Sequence, residues 1–539
     1  MFIIAGILCH TNPMKKLLIL LCITLPLSLK ITAQTTYTNP IIPGFHPDPS
    51  VCRVNDDFYL VNSSFGYFPG VPIFHSKDLV NWEQIGYVLT RPSQLPIKNA
   101  SLTTGGIYAP TIRYHTGTYY MVTTNISKLK NFYVTAKNPA GPWSDPIWID
   151  IPTKYPVIDP TLYFDDDGKI YLITNPGDDT QGIILMEIDI KTGQLLSAPK
   201  TIWQGTGGRY PEGPHIYKKD NWYYLMIAEG GTEYGHKEMM ARSRQLTGPY
   251  TPDPANPILT HINRNAEGNP IQGTGHADLV QAQDGSWWMV NLAFRPINSQ
   301  HILGRETFLA PVKWEKDEWP VVNGNGTIQI NMQAKTLPSH PYAEAKPRDN
   351  FDADTLTYQW NFINDPVMEN YRVKKGSGHL GLIGNDATQP LTFIGRRQEH
   401  FNFEASTLLE FNPQLPNEEA GLTVMMDKDY HLDLSIQQSD GKRYLSLIYY
   451  LGTLKHTEKQ VPLADGAVEL KVTGNEANYS FSFRQGTGDF SSLGSIATKF
   501  LSSEFVGGFT GVYLGMFANG NGQLSKTTAN FDWFEYDHK

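Results

Sequence analysis

The stretch DNWYYLM, residues 220–226, places a polar turn directly before a run of aromatic and aliphatic residues. Such a run after a turn is typical of the second arm of a β-hairpin. The same form occurs at residues 56–61 (DDFYLV), 117–122 (GTYYMV), 167–173 (DGKIYLI) and 284–290 (DGSWWMV). The central aromatics of these five segments are 51 to 64 residues apart, enough chain for a four-stranded blade with variable loops. The repeats predict an all-β fold that begins with a five-bladed β-propeller.

The first arms of these hairpins carry titratable residues at one shared register. Ten or eleven residues before the central aromatics stand Pro49, Pro110, Pro160, Pro214 and Ala277. Directly before these positions lie Asp48, Ala109, Asp159, Gly213 and His276, and Glu212 precedes Gly213. Because the innermost strands of a propeller line its channel, we expect three carboxylates and one imidazole to meet at one end. Asp before Pro is also ordinary turn chemistry, but its repetition in matching blades favours a functional cluster.

Composition limits the fold and the partners. A chain of 539 residues is too long for one hydrophobic core, so we expect two domains. Its 28 Tyr and 11 Trp residues suit a folded protein with side chains that stack on sugars. The net charge of −9, without a cluster of Lys and Arg, argues against a nucleic-acid partner.

The domain boundaries follow from Pro-containing segments. The propeller is predicted to span residues 34–337, and a Pro-containing linker to span residues 338–348. From residue 349 to residue 539 the chain shows short alternating strands, such as HLDLSI at 431–436. This pattern predicts a concanavalin-like β-sandwich. Because sandwich faces often pair, a homo-oligomer stays open.

The N-terminus predicts export. Met14, Lys15 and Lys16 precede an apolar run at residues 17–29 and the small-residue sequence ITA at 31–33. Residues 1–33 are therefore predicted to be a signal peptide, with residues 1–13 as an upstream mis-start, and the mature protein to be periplasmic or extracellular. The apolar run is short for a membrane span, although an anchor is the alternative. Cys52 would be the single cysteine left, so no internal disulfide is expected.

Ordered motifs resemble those of glycoside hydrolase family 43. They are NPIIPGFHPDPS (39–50), SFGYFPGV (64–71), GGIYAP (105–110), IDPT (158–161), EGPH (212–215), GTGH (273–276) and LGRET (303–307). From about residue 38 to the C-terminus the chain resembles in particular the exo-acting β-xylosidases and α-L-arabinofuranosidases of that family. The resemblance implies inverting hydrolysis with Asp48 as general base and Glu212 as general acid. It also implies that Asp159 orients Glu212 and raises its pKa.

The same resemblance implies a sugar pocket around these acids. Phe65 and Tyr108 would form its walls, and Tyr108 stands where many relatives have Trp. Arg305 would bind a substrate hydroxyl, and Phe509 would bring a sandwich loop to the rim. His276 would lie on the channel axis, where it could hold a structural Ca²⁺ through water. No cofactor is required for the chemistry, and core packing is the alternative role of the aromatics.

These features predict an inverting exo-glycosidase that releases xylose, arabinose or both from xylan- or arabinoxylan-derived plant cell-wall oligosaccharides. One alternative is a non-catalytic carbohydrate-binding propeller with a lectin-like sandwich, which would not need three convergent carboxylates. Another is an endo-acting arabinanase-like hydrolase. A retaining, fructan-cleaving propeller enzyme is disfavoured, because none of its NDPNG, RDP and EC motifs appears in this sequence. The choice between xylose and arabinose stays open.

Overall fold

Long apolar runs such as WWMVNLAF are buried on both faces, because each blade of the fold is covered by its neighbours. The computed structural model describes residues 36–177, 182–262, 270–373, 378–386 and 388–538. The predicted signal peptide, residues 1–33, lies outside the described residues. Cys52 is buried and free of any disulfide.

Five antiparallel sheets follow one another through the first part of the chain. The strands of this part are β1 (Tyr37–Thr38), β2 (Ser50–Val54), β3 (Asp57–Val61), β4 (Tyr67–Phe68), β5 (Gly70–Ser76), β6 (Glu83–Leu89), β7 (Thr111–His115), β8 (Thr118–Asn125), β9 (Lys130–Ala136), β10 (Ile147–Ile149), β11 (Ile158–Phe164), β12 (Ile170–Asn175), β13 (Ile183–Glu187), β14 (Lys200–Trp203), β15 (Glu212–Lys219), β16 (Trp222–Glu229), β17 (Lys237–Ser243), β18 (Thr251–Pro252), β19 (Leu259–Thr260), β20 (Gln272–Gln281), β21 (Trp287–Phe294), β22 (Glu306–Lys313), β23 (Val321–Val322) and β24 (Asn331–Met332). The blades are β2-β3-β5-β6, β7 to β10, β11 to β14, β15 to β19 and β20 to β23. The predicted five-bladed propeller is confirmed.

The ring closes between the first and the last blade. The innermost strands β2, β7, β11, β15 and β20 each contact the next one, and β20 contacts β2. The N-terminal segment reinforces this junction, because β1 pairs with β24 and Ile42 forms a bridge to Thr307 of β22. Asn39 donates a hydrogen bond from Nδ2 to the carbonyl oxygen of Leu309 over 3.0 Å. The innermost strands therefore surround one channel.

The C-terminal part is a sandwich of two antiparallel sheets. Its strands are β25 (Arg348–Asp349), β26 (Asn361–Ile363), β27 (Tyr371–Val373), β28 (Leu380–Ile383), β29 (Thr392–Arg397), β30 (Phe403–Glu410), β31 (Glu419–Asp427), β32 (Tyr430–Ser439), β33 (Lys442–Leu451), β34 (Leu454–Pro462), β35 (Val468–Gly474), β36 (Asn478–Arg484), β37 (Ser491–Ala497), β38 (Tyr513–Asn519) and β39 (Thr528–His538). One sheet has the order β27-β28-β39-β30-β35-β36-β37, with β25 beside β39. The other has the order β34-β33-β32-β31-β38-β29-β26-β4. The two sheets enclose a core that includes Leu422, Leu434, Leu470 and Phe531, and the predicted concanavalin-like sandwich is confirmed.

The propeller contributes one strand to the sandwich. Strand β4 lies between β3 and β5 in the chain, but it pairs with β26 at the edge of the second sheet. Behind this pair, the rings of Tyr67 and Tyr513 stack with their centroids 4.0 Å apart. Phe45, Phe65 and Phe393 belong to the same buried cluster. This junction fixes the sandwich against the part of the propeller that carries Phe65.

Helices are few and short among the described residues. One α-helix, α1 (Ser503–Val506), and two 3₁₀ helices, Met368–Asn370 and Thr498–Leu501, occur in the described part. Across the described ranges, no helix has both the length and the apolar character needed to cross a bilayer.

Candidate active site

In four blades a residue in or just before the innermost strand has a left-handed backbone conformation. Asp48, Asp159, Gly213 and His276 have φ angles of 52°, 53°, 59° and 48°. The left-handed conformation costs a non-glycine residue roughly 1–3 kcal/mol and is characteristic of functional sites. In blades three, four and five a register shift in the hairpin accompanies it. The equivalence of these positions, inferred from the sequence repeats, is therefore confirmed by their shared backbone conformation.

Asp48 is held by two donors in a buried position. Nη1 of Arg305 lies 2.7 Å from Oδ1 of Asp48, and the hydroxyl of Ser63 donates to Oδ2. Burial alone would raise the pKa of Asp48, but the charges of Arg305 and His276 and the bond from Ser63 lower it below its usual value. Asp48 is thus kept as a carboxylate, the form that can accept a proton.

Asp159 has the opposite electrostatic character. Its carboxylate is buried and accepts a hydrogen bond from the backbone N–H of Gly213 over 3.2 Å. Burial, with the charge of Asp48 acting in the same direction, raises its pKa to about 6, although His276 and Gly213 oppose the increase. Two neighbouring carboxyl groups therefore differ in their readiness to hold a proton.

Glu212 occupies the first position of β15, opposite Ala228 of β16. Its side chain is half-buried, unlike those of Asp48 and Asp159. Burial raises the pKa of the Tyr108 phenol to about 12, and the negative charges of Asp159, Asp48 and Glu212 act in the same direction, so all three carboxylates lie within electrostatic reach of that phenol. Because Gly213 bonds to Asp159, Asp159 fixes the backbone from which Glu212 projects.

His276 lies between the two buried carboxylates. Its Nδ1 atom is 3.9 Å from Oδ1 of Asp48 and 4.0 Å from Oδ2 of Asp159. The imidazole packs against Gly213, where an added Cβ atom would lie 3.2 Å from both Cε1 and Nε2 of the ring. Glycine at position 213 therefore provides both the positive φ and the space for the imidazole. Oε2 of Glu238 accepts a hydrogen bond from the N–H of Ala277 and so supports this backbone from behind.

Aromatic rings form the walls around the carboxylates. The ring centroid of Phe65 is 5.2 Å from that of Tyr108 and 6.2 Å from that of Phe509. The Arg305 guanidinium lies 5.7 Å from the Phe65 centroid and 5.6 Å from the Phe509 centroid. The Tyr108 hydroxyl donates to the Thr104 carbonyl oxygen over 2.8 Å, so its own loop holds the ring.

The Phe509 loop is tied to the propeller at two points. Its N–H donates to the Thr103 carbonyl oxygen over 2.9 Å, and its carbonyl oxygen accepts from Nε of Arg305 over 3.3 Å. The loop lies between α1 and β38 of the sandwich. The sandwich thus closes one side of the pocket, and all of the predicted site residues are brought together at one mouth of the channel.

The channel below the carboxylates is filled by a cation of the protein itself. Arg113 belongs to blade two, yet its guanidinium lies 2.8 Å from Oδ2 of Asp278, 3.2 Å from Oγ of Ser50 and 2.9 Å from Nδ1 of His215. These partners come from blades five, one and four, so the guanidinium lies across the channel centre.

The described residues around His276 do not form a set of direct metal ligands. Hard cations prefer a shell of several oxygens, whereas the described residues contain no group of three or more His, Cys, Asp or Glu side chains suited to a metal. His276 directs Nδ1 toward the carboxylates. Ca²⁺ held through water beside His276 stays a prediction from the family resemblance.

Several neighbours of the site were not predicted from the sequence. The hydroxyl of Thr232 lies 2.9 Å from Nη1 of Arg305, and Ser63 bonds to Asp48. His236 is buried close enough to Asp48 for their charges to interact, and its Nδ1 lies 3.1 Å from the Gly273 carbonyl oxygen. Ser63 directly precedes the SFGYFPG motif, and Thr232 directly follows Gly230 and Gly231. These neighbouring motifs are the only features of the sequence that could have indicated that either residue lies at the site.

Comparison with known proteins places both parts of the chain. The model of glycosyl hydrolases family 43 matches residues 37–320. The model of the β-xylosidase C-terminal concanavalin A-like domain matches residues 348–537. Together these matches cover nearly all of the described chain.

Curated relatives and solved structures agree with these matches. The chain is 46% identical to a non-reducing end α-L-arabinofuranosidase of Bacteroides ovatus, over 96% of this chain and 98% of that protein. It is 38% identical to a xylosidase/arabinosidase of Butyrivibrio fibrisolvens, over 92% of this chain and 98% of that protein. The structure of a xylan β-1,4-xylosidase of Bacillus halodurans superposes with a TM-score of 0.87 at 35% identity, covering 93% of this chain and 100% of that one.

Proposed function

Because the chain belongs to glycosyl hydrolases family 43, we propose that it is an inverting exo-glycosidase that releases terminal arabinose or xylose from plant cell-wall oligosaccharides. One observation carries the proposal. A buried carboxylate paired with Arg305, a half-buried Glu212 and a third carboxyl group at Asp159 meet at a mouth that the sandwich closes on one side.

Asp48 is the general base in this proposal. Arg305 and Ser63 hold it ionised, so it can take a proton from a water molecule as the water oxygen attacks the anomeric carbon. An inverting enzyme needs about 6.5–9.5 Å between its base and its acid so that this water fits between them. The new C–O bond then forms on the face opposite to the leaving group.

Glu212 is the general acid. As the glycosidic C–O bond breaks, its carboxyl proton passes to the leaving oxygen, which departs as an alcohol. The reaction leaves Asp48 protonated and Glu212 ionised, and exchange with solvent restores both. Asp159 keeps Glu212 in position through the Gly213 N–H, and its negative charge favours the protonated form of the acid.

Exo action is supported by the wall around Phe509. Among the described residues, Nε and Nη1 of Arg305 bond to the protein, which leaves Nη2 as the nitrogen that can reach a sugar hydroxyl. Phe65, Tyr108 and Phe509 enclose this position from the sides. A pocket closed in this way accepts one terminal sugar, whereas an endo-acting enzyme needs a groove open at both ends.

Arabinofuranose is the sugar to test first. The relative with 46% identity is a non-reducing end α-L-arabinofuranosidase. A xylosidase/arabinosidase follows at 38% identity, and several relatives at 32–35% identity are β-xylosidases. We therefore propose α-L-arabinofuranosidase activity with β-xylosidase activity as the second candidate.

The test compares hydrolysis of aryl α-L-arabinofuranoside and aryl β-D-xyloside by the wild type and by Glu212→Ala. Hydrolysis of either substrate by the wild type, with a loss in the variant, supports the proposal. If the wild type cleaves neither substrate but binds xylan fragments, the chain is a carbohydrate-binding protein. Release of internal fragments from arabinan would instead indicate endo action.

Export of the protein is a further part of the proposal. The basic residues Lys15 and Lys16, the apolar run at 17–29 and the small residues at 31–33 support it. N-terminal sequencing of protein from the culture medium or periplasm tests it: a start near Gln34 is expected, and an intact N-terminus in the cytoplasm would contradict it.

A further inference from the structure

A second cleft lies where the outer face of the sandwich sheet meets a propeller loop. Its volume is about 600 Å³, and residues 99–101 of the propeller form one side. Strands β31, β32, β33 and β38 contribute the other side. No catalytic or wall residue of the active site lines it, and its volume falls within the roughly 300–1,000 Å³ typical of small-molecule sites.

The base of this cleft is apolar. Ile363, Met425 and Phe517 line it and are buried, with exposed fractions of 6%, 1% and 3%. Around them the lining turns polar, with carboxamide, carboxylate, imidazole, phenol and ammonium groups. An apolar base beneath convergent polar groups is the usual composition of a small-ligand site.

The polar groups of the cleft are held in place before any ligand arrives. Glu419 accepts hydrogen bonds from Gln437 over 2.7 Å and from Asn519 over 3.2 Å. Asp433 lies 2.9 Å from Nδ1 of His431. The His431 ring stacks on Tyr450 with centroids 4.2 Å apart and an interplanar angle of 15°. Binding to such preorganised groups costs little conformational entropy.

Tyr450 is fixed from both sides. His431 pairs with it across β32 and β33, and Lys455 pairs with it across β33 and β34, with Nζ 5.0 Å from the ring centroid. Cross-strand partners project from the same face of a sheet. The ring is thus held between two neighbours, which leaves its edge and hydroxyl for a ligand.

Ionisable groups of both signs line the cleft. Glu419 and Asp433 supply two carboxylates, and Lys428 and Lys455 supply two ammonium groups. His431 adds an imidazole whose pKa is raised, because the contact with Asp433 outweighs the effect of burial. Because Glu419 and Asp433 are already paired with neighbouring side chains, a lining of this kind offers donors and acceptors to a neutral ligand rich in hydroxyl groups. We propose that this cleft, through Tyr450, Asp433 and Asn519, binds a neutral pentose oligosaccharide, an inference that rests on the proposed function.

One propeller loop separates this cleft from the active site. Asn99 and Ser101 line the cleft, whereas the carbonyl oxygens of Thr103 and Thr104 accept hydrogen bonds from the Phe509 N–H and the Tyr108 hydroxyl. The cleft can therefore hold one part of a branched or long substrate while another part is at the catalytic mouth. Such two-point attachment strengthens binding of polymers and leaves small substrates unaffected.

The experiment uses the full chain with Glu212→Ala, so that the ligand is not cleaved. Calorimetric titration with xylohexaose and with arabinosylated xylo-oligosaccharides should give two sites per chain, and adding Tyr450→Ala should leave one. Lys455→Ala, at an exposed position, should weaken the same site and serves as the second variant. Tyr444→Ala is the matched control, because Tyr444 projects from the same face of β33 outside the cleft and should retain both sites.

A kinetic measurement on the active protein completes the test. Tyr450→Ala should lower kcat/KM on arabinoxylan by about fivefold or more, and leave kcat/KM on aryl glycosides within about twofold of wild type. A single site in the Glu212→Ala protein, or two sites that survive Tyr450→Ala, would overturn the inference. Displacement of the second oligosaccharide by inorganic phosphate would also overturn it, by identifying an anion site. Failure of the proposed function is separate, since it shows as absent aryl glycoside hydrolysis in the wild type.

Discussion

Nη1 of Arg305 lies 2.7 Å from Oδ1 of Asp48, and both side chains are about 5% exposed. Arg305 directly precedes β22 of blade five and Asp48 lies just before β2 of blade one, so closing the ring also assembles the proposed general base. Removing one member of a buried ion pair leaves the other charge uncompensated, at a cost of about 3–5 kcal/mol. Loss of Arg305 would leave the Asp48 carboxylate uncompensated, although the proposed mechanism requires Asp48 to be ionised.

Arg305→Met should therefore move the acidic limb of the kcat/KM profile to higher pH. Arg305 lowers the pKa of Asp48, so its loss raises that pKa, and more of the base is protonated at a given pH. We expect a movement of about 1–3 pH units, with a lower maximum rate. The measurement is kcat/KM on an aryl glycoside from pH 4 to pH 9.

Arg295→Met is the control for this change. Arg295 forms a comparable pair with buried Glu306, with Nε 2.7 Å from Oε2, but it does not contact Asp48. It should lower stability and leave the acidic limb in place. An unmoved limb in Arg305→Met would show that Arg305 does not set the ionisation of the base.

Asp159→Asn should move the basic limb to lower pH. The amide can still accept the hydrogen bond from Gly213, so the change removes the charge and keeps the contact. Without that negative charge the general acid loses its proton more readily, and activity falls at a lower pH. The maximum rate should fall by about tenfold or more. A pH profile identical to that of the wild type would contradict the role given to Asp159.

Gly213→Ala should inactivate the enzyme without altering any carboxylate. Its φ of 59° costs an alanine roughly 1–2 kcal/mol, and the added Cβ atom would press on the His276 imidazole at 3.2 Å. The ring must move, and it lies between Asp48 and Asp159. We expect kcat/KM to fall by more than about tenfold while the fold remains, as seen by circular dichroism.

Gly117→Ala separates the backbone cost of a positive φ from the contact with His276. Gly117 has a φ of 77° and nothing within 4 Å of an added Cβ atom. It should lose a similar amount of stability and keep full activity. Equal activity in the two variants would exclude the contact with His276 as the cause.

Phe509→Ala should open the wall that the sandwich supplies. Phe509 faces Phe65 and Arg305, so its loss should remove the apolar contact proposed for the terminal sugar. We expect kcat/KM to fall by about tenfold, equivalent to about 1.4 kcal/mol. Phe505→Ala is the matched control, because Phe505 is 47% exposed and packs on Tyr430 instead. A similar fall in kcat/KM in both variants would show that the effect does not come from the Phe509 ring in particular.

The sequence predicts the parts of this site that the propeller repeats. A propeller uses the same strand geometry in each blade, so equivalent spacing to Tyr59, Tyr171 and Tyr224 was enough to align Asp48, Asp159 and Gly213. In the structure, Asp48, Asp159 and Gly213 share a left-handed backbone conformation, as expected of equivalent positions in repeated blades. The separate roles of base, acid and modulator came from the family resemblance.

Contacts between distant segments could not be predicted in this way. Arg113 reaches Asp278 across the channel, and no spacing in the chain encodes a contact between blades two and five. The pairing of β4 with β26 depends on how the sandwich docks, because a two-residue strand carries almost no sequence pattern. The Tyr108 hydroxyl bonds to a carbonyl oxygen of its own loop, a partner that depends on loop conformation.

In the proposed mechanism Asp48 and Glu212 act as base and acid on opposite faces of a terminal sugar. Proton NMR of the first products, recorded before mutarotation, tests it most directly with the wild type and Glu212→Ala on an arabinosylated xylo-oligosaccharide. We predict a single released pentose whose anomeric configuration is the inverse of that in the substrate, and no comparable release by the variant. A product of retained configuration, or a variant as fast as the wild type, would contradict the account.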